Sequence, residues 1–119
     1  MEKRNEISVL SFRFVLQIIS YCELLEEKGK CVIARQLLKS GISIGATVQE
    51  AQNAENNQEF IHKLKIVAKE ADEAEYWLLL CEKLLNYPTT KDLITSIVSI
   101  RKLLNSIIST TKINDVVIS

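Results

Sequence analysis

Apolar residues recur along this chain at steps of three and four, the spacing of one face of an α-helix, in four long segments. The first runs from about Asn5 to Lys28. Ile7, Leu10, Phe14, Ile18, Tyr21 and Leu25 line one face, with Phe12, Leu16 and Ile19 in a second row beside it. Only a narrow stripe of Arg13, Gln17, Ser20, Glu23 and Glu27 is polar. Gly29 suits the left-handed position just past the helix end, which a residue without a Cβ adopts at no steric cost. The second segment covers about 31–54, with Leu37, Gly41, Ile44, Val48 and Ala51 on its core line. Asn56 then offers a cap for the next helix, with Glu59 three residues on as its reciprocal partner.

The third segment, about 57–86, is the most regular. Phe60, Leu64, Val67, Ala71, Ala74, Leu78, Cys81 and Leu85 alternate steps of four and three without a break. Such a heptad seam implies near-parallel packing against its neighbours. Asn86-Tyr87-Pro88-Thr89-Thr90 ends it, because proline cannot continue a helix. Thr89 or Thr90 then caps a fourth helix, about 90–111. Leu93, Ile97, Ile100, Leu104 and Ile107 form one line on it, and Ile94, Val98 and Ile108 a second. Over the tail, residues 112–119, Val116, Val117 and Ile118 either dock or fray. Three short connections between four helices make neighbours antiparallel. The expected fold is all-α, one up-down-up-down four-helix bundle spanning residues 1–119.

The second helix carries an unusual flank. At 100° per residue from Ile44, Ser40, Ser43 and Thr47 fall to one side of its core line, and Gly41 and Gly45 to the other. Glycines four apart remove side-chain bulk and admit a neighbouring backbone. A turn near Asn56 sets the serines opposite Glu70 and Glu73 of the third helix, where hydroxyls supply the hydrogen bonds that part-buried carboxylates need. The expectation is a close helix contact at Gly41 and Gly45 beside a polar seam of Ser40, Ser43, Thr47, Glu50, Glu70 and Glu73.

Apolar surface is in surplus. The first and fourth helices read as apolar over most of their circumference, and the third adds an outer row of Tyr76, Trp77, Leu80 and Leu84. Together these exceed the few hundred Å² that a monomer usually exposes. Self-association is the simplest remedy, with that outer row as the candidate interface.

Composition narrows the function. At 119 residues, 47% apolar and 25% charged, the chain reads as one globular domain. Three glycines and one proline are too few for a turn-rich β fold. Fifteen basic and 15 acidic residues balance, so the chain as a whole is not a strongly basic nucleic-acid binder. Basic residues do cluster: Lys28, Lys30, Arg35 and Lys39 stand in a stretch without acids, and Lys63 and Lys69 lie on the third helix. These six are the candidate phosphate contacts. Cys22, Cys31 and Cys81 lack metal or redox spacing and read as reduced thiols. Arg13 interrupts the apolar N-terminal stretch and no cleavage pattern follows it, so the chain is expected to be soluble, unprocessed and clear of membranes. Glu59-x-x-His62 matches half of a di-iron motif, but the single histidine points outward. The carboxylate pair Glu70 and Glu73 repeats as Asp72 and Glu75 and so is not distinctive. Without a nucleophile elbow or phosphate loop, no enzyme, metal site or cofactor is expected.

One ordered set of residues is more specific. Arg35-Gln36-Leu37, Ser40-Gly41-x-Ser43-Ile44-Gly45-Ala46 and Glu50-Ala51 are followed by Glu59-Phe60-Ile61, Lys63-Leu64, Lys69-Glu70-Ala71 and Tyr76-Trp77-Leu78. This set resembles a bacterial family labelled 23S ribosomal RNA intervening sequence proteins, over the middle two helices. The resemblance implies a four-helix bundle that assembles into a ring, commonly a pentamer. It also implies kinship to accessory proteins of diversity-generating retroelements, which bind a reverse transcriptase and nucleic acid through basic surfaces. The combined expectation is a non-enzymatic, cytoplasmic homo-oligomer acting as an RNA- or RNP-associated adaptor. A protein-binding scaffold without nucleic-acid affinity is the alternative.

Overall fold

The computed structural model of the chain describes residues 2–118, with side chains over residues 2–112. Four helices follow one another: α1 (Glu2–Glu27), α2 (Cys31–Gln52), α3 (Asn57–Lys83) and α4 (Lys91–Ile118). Contacts between them fix their directions. Ser40 meets Glu73 and Glu50 meets Lys63, so numbers fall on α3 as they rise on α2. Gly41 lies against Ile18 and Gly45 against Val15, which sets α1 antiparallel to α2. Lys3 bonds Ser106 and Gln17 reaches Ser96, and Arg101 of α4 reaches Asp72 of α3. Each helix packs on its two neighbours around a square, with α1 closing on α4. Among the described residues neither diagonal pair brings Cα atoms within 8 Å. The architecture is therefore the up-down-up-down bundle that the spacing predicts.

The core follows the predicted lines. Ile7, Phe14, Ile18 and Leu25 of α1, Leu37, Ile44 and Val48 of α2, the α3 seam from Phe60 to Cys81, and Ile97, Ile100 and Leu104 of α4 are all buried. Burying each large aliphatic or aromatic side chain contributes about 1.5–3 kcal/mol. Cys22 and Cys81 sit in this core as free thiols; burial and the nearby Cys81 push the Cys22 thiol up to about 12. They lie on α1 and α3, across the diagonal and beyond the span of a disulfide.

Chain ends and turns depart from expectation in instructive ways. The α3 seam stops at Cys81, not Leu85: α3 ends at Lys83, and Leu84 turns to an extended conformation. Leu85 is 86% exposed. Glu82 explains the early stop. Its carboxylate accepts from the Thr90 backbone N–H at 2.7 Å and from the Thr89 hydroxyl at 3.0 Å, drawing the chain back across the end of α3. These hydrogen bonds hold the Glu82 carboxyl below its ordinary range. Thr90 does not cap α4 with its side chain; its hydroxyl donates to the Leu78 carbonyl at 2.8 Å and is buried there. Tyr21 donates to the Pro88 carbonyl at 2.7 Å, tying α1 to the same turn.

At the first turn, Gly29 has φ +77° and the Lys30 N–H reaches the Leu25 carbonyl, the left-handed helix ending that the sequence predicts. At the second, Asn56 accepts from the Glu59 N–H, while the Glu59 carboxylate accepts from Glu55 rather than from Asn56. Helix α1 begins earlier than expected, at Glu2, and α4 runs on to Ile118. The docking of Val116, Val117 and Ile118 lies outside the described residues.

The surplus of apolar surface is not where composition put it for α4. Its outward positions Thr95, Ser99, Lys102, Ser109 and Thr110 are exposed, and Ile94, Val98, Leu103 and Ile108 pack against the core. Helix α4 is long and apolar enough to cross a bilayer, as is α1, by length and composition alone. In the fold both supply core rows. Among the described residues, the exposed large apolar side chains lie on α1, on α2 and at the C-terminal end of α3 and just beyond it.

Gly41 is the tighter of the two glycine contacts between α2 and α1. A Cβ there would stand 2.7 Å from Ile18 Cγ2 and 3.2 Å from Ile18 Cβ and Cγ1, and Ile18 is wholly buried. At Gly45 a Cβ would meet Val15 alone, Cγ2 at 2.8 Å and Cβ at 3.9 Å, and Val15 is only half-buried, so a small outward shift relieves the contact. Gly41→Ala is expected to cost about 1–3 kcal/mol of overpacking, less the ~0.5–1 kcal/mol that alanine returns through helix propensity. Gly45→Ala is expected to be near neutral. Urea unfolding of both variants checks this; equal midpoints would contradict the tighter contact at Gly41.

Candidate interaction surfaces

Helix α2 separates two unlike faces. Toward α3 it presents the hydroxyl flank. The Ser40 hydroxyl donates to Glu73 Oε1 at 2.9 Å, and the Trp77 indole N–H reaches the same oxygen at 3.5 Å. Thr47 is buried and its hydroxyl hydrogen-bonds Glu70. Glu50 pairs with Lys63 at 2.9 Å at the outer rim. Ser43 is half-buried on the same flank. The structure thus gathers Ser40, Thr47, Glu50, Glu70 and Glu73 between the two helices.

Glu70 is the poorly satisfied member. Its Oε1 is buried without a hydrogen-bond partner. Burial raises its carboxyl above the usual range, the charges of Glu50 and Glu73 add to that, and the Thr47 hydroxyl opposes it. A hollow of about 740 Å³ lies elsewhere, over Asn56, Glu59 and the exposed His62. Among the described residues no group of three or more histidine, cysteine or acidic side chains could hold a metal ion. The arrangement binds two helices and fixes their register.

The six candidate phosphate contacts fare differently. Lys28, Arg35, Lys39 and Lys69 are exposed. Lys63 is engaged by Glu50, which raises its pKa, and the Lys30 ammonium sits 5.2 Å from the Tyr87 ring centre. On α4, Arg101 is neutralised between Asp72, at 3.2 Å, and Glu75. No positional signal in the sequence marked that clamp, since its partners lie 26 and 29 residues away.

Of the outer α3 row, Tyr76 and Leu84 are exposed, and Leu80 is half-buried. Trp77 packs on its own chain's core. Leu79 beside that row is also exposed, and so are apolar side chains on α1 and α2. Phe12 is 66% exposed, Leu16 52%, Val9 48% and Ile42 45%. Phe12 and Ile42 line a groove between α1 and α2, and Leu16 a second groove on the α4 side of α1. Phe12 and Leu16 stood out in the spacing as a second row. Val9 and Ile42 did not, because neither falls on the rows that the spacing picked out.

Because folding raises the Glu70 pKa, the folded chain holds that proton more tightly than the unfolded one. Stability therefore falls as pH rises from the ordinary carboxylate range through the raised value. Glu70→Gln removes the charge at constant shape and is expected to stabilise the bundle at neutral pH by up to about 1 kcal/mol. It should also flatten that part of the stability profile. Thermal melts of both proteins at pH 4–7.5 (roughly the range over which a raised carboxyl titrates) measure this; parallel profiles would contradict it.

With this geometry in view, known proteins place the chain. A crystal structure of a protein of unknown function from the S23 ribosomal protein family of Bacteroides thetaiotaomicron is similar to it, with a TM-score of 0.83 and 37% identity. The match covers 90% of this chain and 98% of that one. No curated protein matches. The family model described as 23S rRNA-intervening sequence protein matches residues 3–106, which takes in all three turns and most of the four helices. The chain belongs to the 23S rRNA-intervening sequence protein family.

Proposed function

We propose that this protein is a non-enzymatic, cytoplasmic homo-oligomer that serves as an RNA- or RNP-associated adaptor. The observation that carries the reading is the presence of exposed cations together with exposed apolar surface. Lys39 and Lys69 stand exposed on α2 and α3, outside the ion pairs among the described residues, and Phe12 and Leu16 leave large apolar side chains exposed on α1. Cations at repeated positions on joined copies add along a phosphate backbone, and the apolar surface supplies the joining. The family's description as 23S rRNA-intervening sequence protein agrees with an RNA partner. A ring of five copies is the form that the family resemblance implies.

Binding to structured RNA, followed by fluorescence anisotropy from roughly 50 to 200 mM salt, tests this. Affinity is expected to fall steeply with salt. Lys39→Ala and Lys69→Ala should each weaken it across RNA sequences and reduce the salt slope by about 1 per phosphate contact. No binding at low salt would reject the adaptor and leave a protein-binding scaffold.

A further inference from the structure

Three exposed side chains, Lys69, Tyr76 and Lys83, follow one another along α3 at steps of seven. A step of seven returns an α-helix to within about 20° of the same direction. All three therefore lie on one ridge, turned away from the seam of Phe60, Leu64 and Leu78 that enters the core. At about 1.5 Å of rise per residue, each lysine stands roughly 10 Å along the helix from the tyrosine. A third cation approaches from α2. The pairs Ser40–Glu73 and Glu50–Lys63 put Lys39 level with Ala74, on the flank of α2 that faces α3. None of these three lysines belongs to an ion pair within the described residues. The acids of the stretch have partners of their own. Glu73 accepts from Ser40 and from the Trp77 indole, and Asp72 and Glu75 flank Arg101. The Tyr76 ring is braced as well. Its centre lies 5.5 Å from that of Trp77 with the planes at 68°, the edge-to-face arrangement that aromatic pairs favour. Trp77 in turn packs on the core, yet Tyr76 stays 58% exposed.

We infer that Tyr76 is a stacking platform for an unpaired base of RNA, with Lys39, Lys69 and Lys83 holding the phosphates around it. A cationic track interrupted by an aromatic ring is how proteins hold single strands. The lysines follow the backbone, and the ring takes a base whose faces no neighbouring base covers. A fully paired duplex keeps its bases stacked on one another and meets only the lysines. A second copy laid on the same ridge would set lysine against lysine, which disfavours self-association here. Helix α3 also lies diagonally across the bundle from α1, where Phe12 and Leu16 are exposed. A strand on the α3 ridge therefore leaves that apolar surface free to join copies.

The inference rests on the RNA reading above and adds the class of RNA and the side chain that selects it. Trp77 is the only tryptophan in the chain, so a base seated on Tyr76 has a native reporter beside it. The test titrates the protein at low salt with an unstructured oligouridylate and with a fully paired RNA duplex. Trp77 emission and the anisotropy of a label on the RNA are both followed. The single strand is expected to quench Trp77, and the duplex to leave it unchanged. Tyr76→Ala should weaken the single strand about 5- to 150-fold, the range for losing one stacked base, with duplex affinity unchanged. Tyr76→Phe keeps the ring and should bind as wild type does. Lys83→Ala should weaken both RNAs and reduce the salt slope by about 1. Single-strand affinity indifferent to Tyr76→Ala, or equal losses for strand and duplex, overturns the platform while leaving the adaptor reading intact. A lower molar mass of Tyr76→Ala by sedimentation equilibrium overturns it in favour of a contact between copies. Wild type that binds neither RNA overturns the platform and the adaptor together.

Discussion

The contact of Gly41 of α2 with Ile18 of α1 leaves no room for a side chain at position 41 and governs how α1 seats on α2. A side chain at position 41 would push α1 outward by displacing a wholly buried isoleucine. With α1 seated this deeply, Tyr21 reaches the Pro88 carbonyl and Lys3 reaches Ser106, so α1 closes the square against α4 and the last turn. On the opposite flank of the same helix, Ser40 and Thr47 satisfy carboxylates of α3. One helix thus holds two neighbours by different means: van der Waals fit on one side and hydrogen bonds on the other.

The two means have different consequences. Beside the glycine flank lies a shallow groove walled by Phe12 and Val15 of α1 and Ile42 of α2, and Phe12 and Leu16 of the outer α1 row face outward. The hydroxyl flank leaves Glu70 short of one partner, a modest cost in stability that a purely apolar contact would avoid. What the polar seam contributes in return is register. Serine and threonine meet glutamates at fixed heights, and a shift of one helical turn would strand several buried polar atoms at once.

Much of the fold was legible in the spacing, and the reasons are local. A heptad seam, a left-handed glycine after α1 and an asparagine before α3 each declare themselves within a few residues. Three features were not legible. The α3 seam runs on in sequence to Leu85, yet Glu82 captures the Thr89–Thr90 segment and ends the helix at Lys83, a competition that periodicity does not weigh. Helix α4 reads as apolar all round because its outward serines and threonines are short and common. Their alignment on one face emerges only when the core direction is known. Lys63 and Arg101 count as positive charge in composition but stand beside acids in the fold, so the basic surface is smaller than the sequence suggests. The polar seam and the paired glycines were visible as residue types. Which neighbour each flank served was a matter of topology.

Membership of the 23S rRNA-intervening sequence protein family and likeness to an S23-family structure of unknown function set the fold on firm ground. They leave the role to be argued from surfaces. That argument stands on α2 being thin where α1 crosses it. The most direct measurement is a nuclear Overhauser experiment on methyl-labelled protein. The account predicts strong cross-peaks between the Ile18 methyl groups and the Gly41 α-protons. Their absence, with Ile18 methyls seen only by other core side chains, would mean that α1 rides higher on α2 than described, and the two-faced helix would be lost.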